Sequence, residues 1–308
     1  GDFRAWGKLF NGAVLFSEPP DVFSGDGRYG ALSSIDLRFE YQNKFWDELK
    51  LDTAIVGHGD WMKVPEYQST SGVLGSNNAG AAGRWVDTRQ DTSSGNLSAF
   101  ADLDRLSLGF WIGGAEVIIG RQAISWARTM VFQPLDVIGP FSLLSFDTEA
   151  KPGVDALRVR LPILEQATLD IVANPDENSE RTTFAMRATF MLETLELGFM
   201  LGEIRDETHL GFDGVAAFDV WSLRWESLYL PRNARDNDVV VALGFDRFIN
   251  KGDLQIFGEF LFDSRGAKDA NELLLAFTNR AYMDGRMKVP ARTALAFGAR
   301  YQWSPLWA

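Results

Sequence analysis

The sequence contains no cysteine, and its two histidines, His58 and His209, are far apart in the chain. Without cysteine the chain cannot form a disulfide scaffold, a thiolate zinc site, an iron–sulfur site or a cysteine nucleophile. Two distant histidines do not make a histidine-built metal centre. We therefore expect no metal ion and no cofactor.

Long apolar runs are also missing. No stretch approaches the roughly 18 apolar residues that would indicate a transmembrane helix. The net charge of −12 argues against nucleic acid as the main partner. Hydrophobic residues make up 46% of the chain, which excludes wholesale disorder. Because the chain starts at Gly1 without an initiator Met or a leader pattern, we expect a mature or trimmed product.

Catalytic motifs are not found either. Ser125 and Ser145 have no neighbouring histidine, and no Gly-x-Ser-x-Gly elbow occurs. Residues 25–30 (GDGRYG) match the dinucleotide fingerprint, but a strand pattern follows where that motif needs a helix. We interpret residues 25–30 as a loop, assign no catalytic residue, and expect that the protein is not an enzyme.

The dominant pattern is strict alternation of large apolar residues with small, polar or charged ones. In 195–201, for example, Leu195, Leu197, Phe199 and Leu201 alternate with Glu196, Gly198 and Met200. Such strands have one apolar and one wet face. A soluble β-sandwich would also give this pattern. Runs of ten or more residues, and wet faces that mix Gly and Ala with charges, favour tilted membrane-spanning strands around a hydrated interior.

The pattern predicts an all-β protein: a transmembrane, antiparallel, up-and-down β-barrel of about 14 strands (12–16), forming a single domain over 1–308. The predicted strands are 2–16, 28–41, 47–58, 96–104, 105–112, 115–126, 153–162, 166–174, 181–192, 194–204, 208–215, 219–230, 238–249 and 253–263, with 292–304 as a fifteenth. The odd total indicates either that 96–112 is wrongly divided or that a closing strand is missing.

The predicted connections alternate in length. Short turns fall at 113–114, 164–165, 193–194 and 250–252, and long loops at 59–95, 127–152, 175–180, 231–237 and 264–291. Short turns on one side and long loops on the other are typical of outer-membrane barrels. In such a barrel the long loops lie outside or fold into the pore.

Aromatic residues lie near the predicted strand ends, where a membrane interface would place them. The alternative is that they form the core of a soluble β domain. The residues that we assign to the interface are Trp46, Trp111, Trp221, Trp225, Tyr229, Tyr301 and Trp303.

One local motif resembles known families. The segment 120–126 (GRQAISW), followed by Pro134, Asp136 and Pro140, is similar to a stretch in alginate-export-type barrels and substrate-specific porins. The resemblance implies a porin-like β-barrel in the Gram-negative outer membrane, with lipid as a partner. The terminal residues 303–308 depart from the pattern of an aromatic last residue, so either the barrel closes unusually or the natural chain continues beyond Ala308.

The wet faces carry charges of both signs, which we predict to line a pore. Two interpretations remain open: the charges bind a solute, or they form salt bridges that fill the barrel. Arg158 and Arg160, two residues apart on one strand, are the first candidates for a basic ladder that faces the solute. The predicted lining residues are Asp36, Arg38, Glu40, Asp52, Arg158, Arg160, Asp170, Arg187, Glu196, Arg224, Glu226, Asp246, Glu259, Arg292 and Arg300.

The predicted function is therefore an outer-membrane channel that passes a small or polymeric polar or anionic solute. The alternative is a barrel component of an envelope or export complex, which houses or docks with a partner protein during exopolysaccharide or protein export.

Overall fold

The computed structural model describes most of the chain. The described residues are 1–15, 29–45, 49–63, 83–94, 97–140, 151–175, 182–232, 237–249, 254–269, 272–273, 276, 279–283 and 285–301. The predicted loop 25–30 therefore falls largely outside them, as do Trp46 and Trp303. Within the described residues no helix combines the length and the apolar character needed to cross a membrane.

Alternating sequence produces long strands, as predicted. They are β1 (Asp2–Leu15), β2 (Tyr29–Phe45), β3 (Leu49–Lys63), β4 (Gln90–Ser94), β5 (Leu97–Ile112), β6 (Ala115–Gln122), β7 (Val154–Leu164), β8 (Ala167–Asn174), β9 (Thr183–Leu192), β10 (Leu195–Ile204), β11 (Thr208–Phe218), β12 (Trp221–Leu230), β13 (Asp238–Ile249), β14 (Leu254–Asp263) and β15 (Thr293–Tyr301). A helical turn, α1 (Arg280–Met283), lies between β14 and β15.

The strands form one antiparallel sheet in which neighbours in the chain are neighbours in space. The hydrogen-bonded path runs from β1 to β15 and leaves out β4, which pairs only with β5. The path therefore contains 14 strands, and its first and last members run in opposite directions. The all-β, antiparallel, up-and-down fold is thus confirmed. Among the ladders of the described residues, none joins β1 to β15.

Several predicted strands differ from the observed ones. β2, β3 and β11 extend to Phe45, Lys63 and Phe218, beyond the predicted ends at 41, 58 and 215, and three further differences concern β4 to β6. The segments 96–104 and 105–112 are one strand, β5, whose register against β3 shifts at Ala54/Ile55. A bulge of this kind interrupts the alternation and suggests a boundary that is not there. The short β4 was not predicted. Finally, β6 ends at Gln122 and not at 126, because the chain leaves the sheet there.

The connections are short at one end of the sheet. Two residues join β5 to β6, β7 to β8, β9 to β10, and β11 to β12. Gly113 and Gly114 both have positive φ (56° and 86°), which a two-residue hairpin of this twist requires. At the other end only β10 and β11 are joined by as few as three residues. The predicted division into a short-turn end and a long-loop end is confirmed.

The two faces of the sheet are opposite in character. On β10, Phe199 and Leu201 are exposed, whereas Met200 and Ile204 are buried. On β12, Leu223 is exposed and Glu226 is fully buried. We call the face that carries the exposed apolar rows the outer face, and the other the interior face. The usual arrangement of a soluble protein is therefore inverted.

The apolar core lies on the interior face, towards the long-loop end. Residues 123–140, which we call the interior segment, follow β6 and supply six of its 17 buried residues. Ile124, Trp126 and Leu135 of this segment pack in one cluster with small or medium side chains of the strands. The strand residues of the cluster are Val154, Ala156, Val172, Ala185, Met200, Ile204, Leu228, Leu230, Val240, Ala242 and Leu261.

Candidate functional site

Fourteen of the fifteen predicted lining residues share the interior face. Their neighbours along each strand are the apolar residues of the outer face, so the alternation fixes their direction. Arg292 directly precedes β15, and its guanidinium donates to the carbonyls of Gly266 and Ser264. The residues on interior-face positions of strands are Asp36, Arg38, Glu40, Asp52, Arg158, Arg160, Asp170, Arg187, Glu196, Arg224, Glu226, Asp246, Glu259 and Arg300.

Many of these charges are paired across neighbouring strands. Arg158 Nε lies 2.8 Å from Asp170 Oδ1, and both residues are buried. Arg224 Nε lies 2.7 Å from Asp246 Oδ1. Arg160, two residues along from Arg158, retains 41% exposure of its side chain. The two arginines of the predicted ladder therefore point the same way but differ in their access to water.

The chain enters the interior at Gly120. Its φ of 110° is rarely adopted by residues with a side chain, and a Cβ there would collide with the carbonyl oxygen of Leu106. The following Gln122 donates to the carbonyl of Ala156 at 3.1 Å. Glycine and glutamine of the motif that resembles porin families thus turn the chain out of the sheet.

Arg121 of the same motif fixes the turn from the other side. Its Nε and Nη2 lie 2.8 and 2.9 Å from the two carboxylate oxygens of Asp155. Its Nη1 donates to Thr88 Oγ1 and to the carbonyl of Leu103 at 2.8 and 2.9 Å. This buried guanidinium joins β5, β7 and the segment that leads into β4.

Glu226 of β12 anchors the interior segment. Its Oε1 accepts the backbone N–H groups of Arg128 and Thr129 at 2.5 and 2.6 Å, and the Thr129 hydroxyl at 2.7 Å. Its Oε2 accepts the N–H of Leu135 at 2.8 Å. A fully buried carboxylate is therefore satisfied by the backbone of the segment, as buried charges must be.

Glu259 of β14 likewise accepts hydrogen bonds from the backbone of the residues that follow Thr129. Its oxygens accept the N–H groups of Met130, of Val131 at 2.8 Å and of Phe132 at 3.1 Å. On the opposite side of the segment, Trp126 Nε1 donates to Asp170 at 3.0 Å. Three predicted lining carboxylates thus hold the interior segment.

Arg128 is the one basic residue of the interior segment. It forms ion pairs with Glu196 of β10 and, at 3.4 Å, with Asp213 of β11. Asp213 is fully buried and also pairs with Arg187 at 2.5 Å. The sequence analysis missed Arg128 and Asp213. Asp213 could have been found, because it alternates with the apolar Leu210 and Phe212.

Asp136 lies between two lysines from different connections. Its carboxylate forms an ion pair with Lys151 and lies 4.0 Å from Lys288 Nζ. Burial lowers the pKa of Lys288 to about 8, against a partly opposing effect of Glu226. Burial also lowers the pKa of Lys151, with Lys288 adding to the effect. This cluster links the interior segment to the connection between β14 and β15.

The described aromatic residues of the predicted interface occupy several depths. Trp221 and Tyr301 are exposed at the short-turn end, and Tyr229 is exposed near the long-loop end. Trp225 is at mid-strand on the outer face, where it packs against Phe212 with ring centroids 6.2 Å apart. Trp111 is at the short-turn end with Lys44 Nζ 5.8 Å from its ring centroid.

These features define a class of protein: an antiparallel, up-and-down sheet with an apolar exterior, a charged interior and an inserted segment. Among solved structures the chain is similar to OccAB4 of Acinetobacter baumannii (9% identity, 85% of this chain and 66% of that chain, TM-score 0.43). It is also similar to OprB of Pseudomonas putida (11%, 85% and 87%, 0.38) and to Salmonella typhi OmpF in complex with daunomycin (8%, 87% and 80%, 0.49). No protein-family model and no curated protein matches the sequence.

At these identities and TM-scores the fold assignment depends on the strand order and the two faces, which are properties of the chain itself. The chain spans 66% of the length of OccAB4.

Proposed function

We propose that the chain is a porin-like channel of the Gram-negative outer membrane, through which small polar solutes pass. One observation carries the proposal: large apolar side chains are exposed on the outer face while charged ones are buried within. Phe199 is half exposed, whereas Asp213 and Glu226 are fully buried. In water this arrangement would be costly, but it suits a barrel surrounded by lipid tails.

The position of the interior segment favours a small solute over a polymer or a partner protein. It occupies the interior face of β7 to β14 at the long-loop end, where a polymer or a partner protein would have to pass. Its contacts with Glu226 and Glu259 fix it in place. A segment held in this way narrows the lumen, and we therefore favour the channel over the export component.

The distribution of exposed charge supports polar solutes, anionic ones included. In three interior ion pairs the arginine is more exposed than its carboxylate partner: 41% against 22% for Arg160–Glu116, 26% against 19% for Arg128–Glu196, and 26% against 0% for Arg224–Asp246. In Arg38–Glu40 and Arg158–Asp170, in contrast, the carboxylate is the more exposed partner (21% against 7% and 13% against 7%), so groups of both signs face the water that remains. On β2, Asp36 gives the lumen a negative side chain as well.

Planar-bilayer recording of the purified, refolded protein tests the proposal. We expect stepwise increases in conductance, and uptake of small sugars and carboxylates by liposomes that contain the protein. If folded protein that co-sediments with liposomes gave neither conductance nor solute flux, the channel function would be wrong.

The variant Glu226→Gln tests the role of the interior segment. The amide would place donor hydrogens against backbone N–H groups, at a cost of roughly 1–3 kcal/mol for each unsatisfied group. We expect larger or noisier single-channel currents, because the segment is no longer held. The control is Glu203→Gln, whose parent side chain is exposed and accepts a hydrogen bond from the Thr208 hydroxyl. Identical currents from both variants would contradict the assigned role.

A further inference from the structure

Arg247 stands on the apolar outer face. On β13 it follows Val241, Leu243 and Phe245 at two-residue spacing, so it shares their direction. Its partners across the sheet are Trp221 on β12 and Ile256 on β14. A permanently charged side chain is therefore placed in an apolar row of the outer face.

Arg247 has an aromatic neighbour but, among the described residues, no counter-charge. Its guanidinium carbon lies 5.0 Å from the centroid of the Trp221 ring. Its Nε is buried without a hydrogen-bond partner, and within the described part of the chain no carboxylate forms an ion pair with it. The interior-facing Arg224 of the neighbouring strand, in contrast, is paired with Asp246.

Arg247 also lies at a particular depth. It is two residues from the end of β13 at Ile249, at the short-turn end. The adjacent Phe248 donates its N–H to the carbonyl of Val220 in the β11–β12 turn at 3.3 Å. In a barrel the short turns face the periplasm, and the cost of a lipid-facing arginine falls to about 0–1 kcal/mol near the interface. Indole rings prefer the same depth.

We propose that Arg247 and Trp221 form a binding site for the phosphate of a phospholipid head group in the leaflet at the short-turn end. The inference rests on the proposed membrane location. The ring holds the guanidinium plane by a cation–π contact, and the free N–H groups donate to the phosphate oxygens. The acyl chains lie along the outer face, over Phe245 and Leu223, both of which are exposed.

Native mass spectrometry of the full chain in detergent micelles tests the site, with dioleoyl phosphatidylglycerol titrated as the probe. We expect Arg247→Gln to weaken binding of the first lipid roughly tenfold, as expected for loss of a charge-assisted hydrogen bond. Arg247→Lys keeps the positive charge but lacks the planar guanidinium group. Its lipid affinity should lie between those of the wild type and Arg247→Gln. The control is Arg160→Gln, which removes an arginine from the interior face and should bind lipid like the wild type.

Two further measurements distinguish a phospholipid from other molecules that carry phosphate. Inorganic phosphate at millimolar concentration should not displace the lipid if the acyl chains contribute, whereas displacement would reduce the site to a simple anion site and overturn the proposal. Lipopolysaccharide binding should not change in Arg247→Gln, because that lipid occupies the other leaflet.

Equal lipid affinity of Arg247→Gln and the wild type, or an equal loss in Arg160→Gln, would overturn the site and leave the channel intact. If the protein did not associate with detergent or vesicles at all, the proposed function itself would be wrong.

Discussion

At the scale of single residues, buried charges are the main feature of the interior, and many of them are ion-paired or hydrogen-bonded. For Lys288, burial disfavours the charged form of the side chain. Its pKa is lowered by burial to about 8 from 10.5, and Asp136 lies 4.0 Å away. The same burial lowers the pKa of Lys151, so both lysines act in the same direction.

The pH dependence of stability follows from this shift. Below about pH 8, Lys288 is protonated in both the folded and the unfolded chain, and its contribution is constant. Between about pH 8 and 10.5 the unfolded chain binds more protons, so the free energy of unfolding rises with pH. At about 1.4 kcal/mol per pH unit, the rise amounts to about 3 kcal/mol.

Urea unfolding in detergent at pH 7.5 and 10.5 measures this rise in the free energy of unfolding. We expect the rise to be about 3 kcal/mol smaller in Lys288→Met than in the wild type. The control is Lys268→Met, which changes an exposed lysine of the same connection. A rise that is unchanged in Lys288→Met would show that Lys288 is not the titrating group.

At the scale of elements, the sequence predicted the strands well, because alternation directly records which face each residue occupies. Single-residue irregularities were harder to predict: the bulge in β5 and the turn at Gly120 break the alternation locally. The interior segment was predicted only as a long loop, outside or in the pore. Most of its hydrogen bonds to Glu226 and Glu259 come from backbone N–H groups, which leave no mark in the sequence.

The sequence contains one indirect indication of the interior segment. Small residues occupy interior positions where the segment packs, among them Gly211, whose hypothetical Cβ would lie 2.8 Å from Leu135 Cδ2. The charged residues at neighbouring interior positions suggested a hydrated lumen instead. The glycine and alanine positions are better explained as space for the segment.

The variant Gly211→Val tests this explanation. Overpacking against Leu135 and Met200 should cost about 1–3 kcal/mol and displace the segment. We expect a lower urea midpoint and faster proteolysis between 123 and 140. The control is Gly57→Val on β3, where a Cβ would meet nothing within 4 Å. Equal effects of both substitutions would point to strand propensity and not to the segment.

At the scale of the whole molecule, the first and last strands present the remaining question of pairing. β1 and β15 are the two ends of a 14-strand path and run antiparallel, with Asp2 and Tyr301 both at the short-turn end. An unpaired strand edge in lipid leaves backbone groups unsatisfied, at several kcal/mol each. In a membrane the two edges should therefore pair and close a 14-strand barrel.

Because the chain has no cysteine, closure can be tested by introduced pairs. With Ala5→Cys held constant on β1, a second cysteine is moved along outer-face positions of β15 at Leu295, Phe297 and Ala299. Closure predicts that one register forms a disulfide within the monomer, since only directly opposed positions bring the two Cβ atoms within about 4.5 Å. The control pair, Ala5→Cys with Ala188→Cys on β9, should not react. Disulfide-linked dimers from every β1–β15 pair would instead mean that the edges pair between two copies, and the pore would then belong to a larger assembly than one chain.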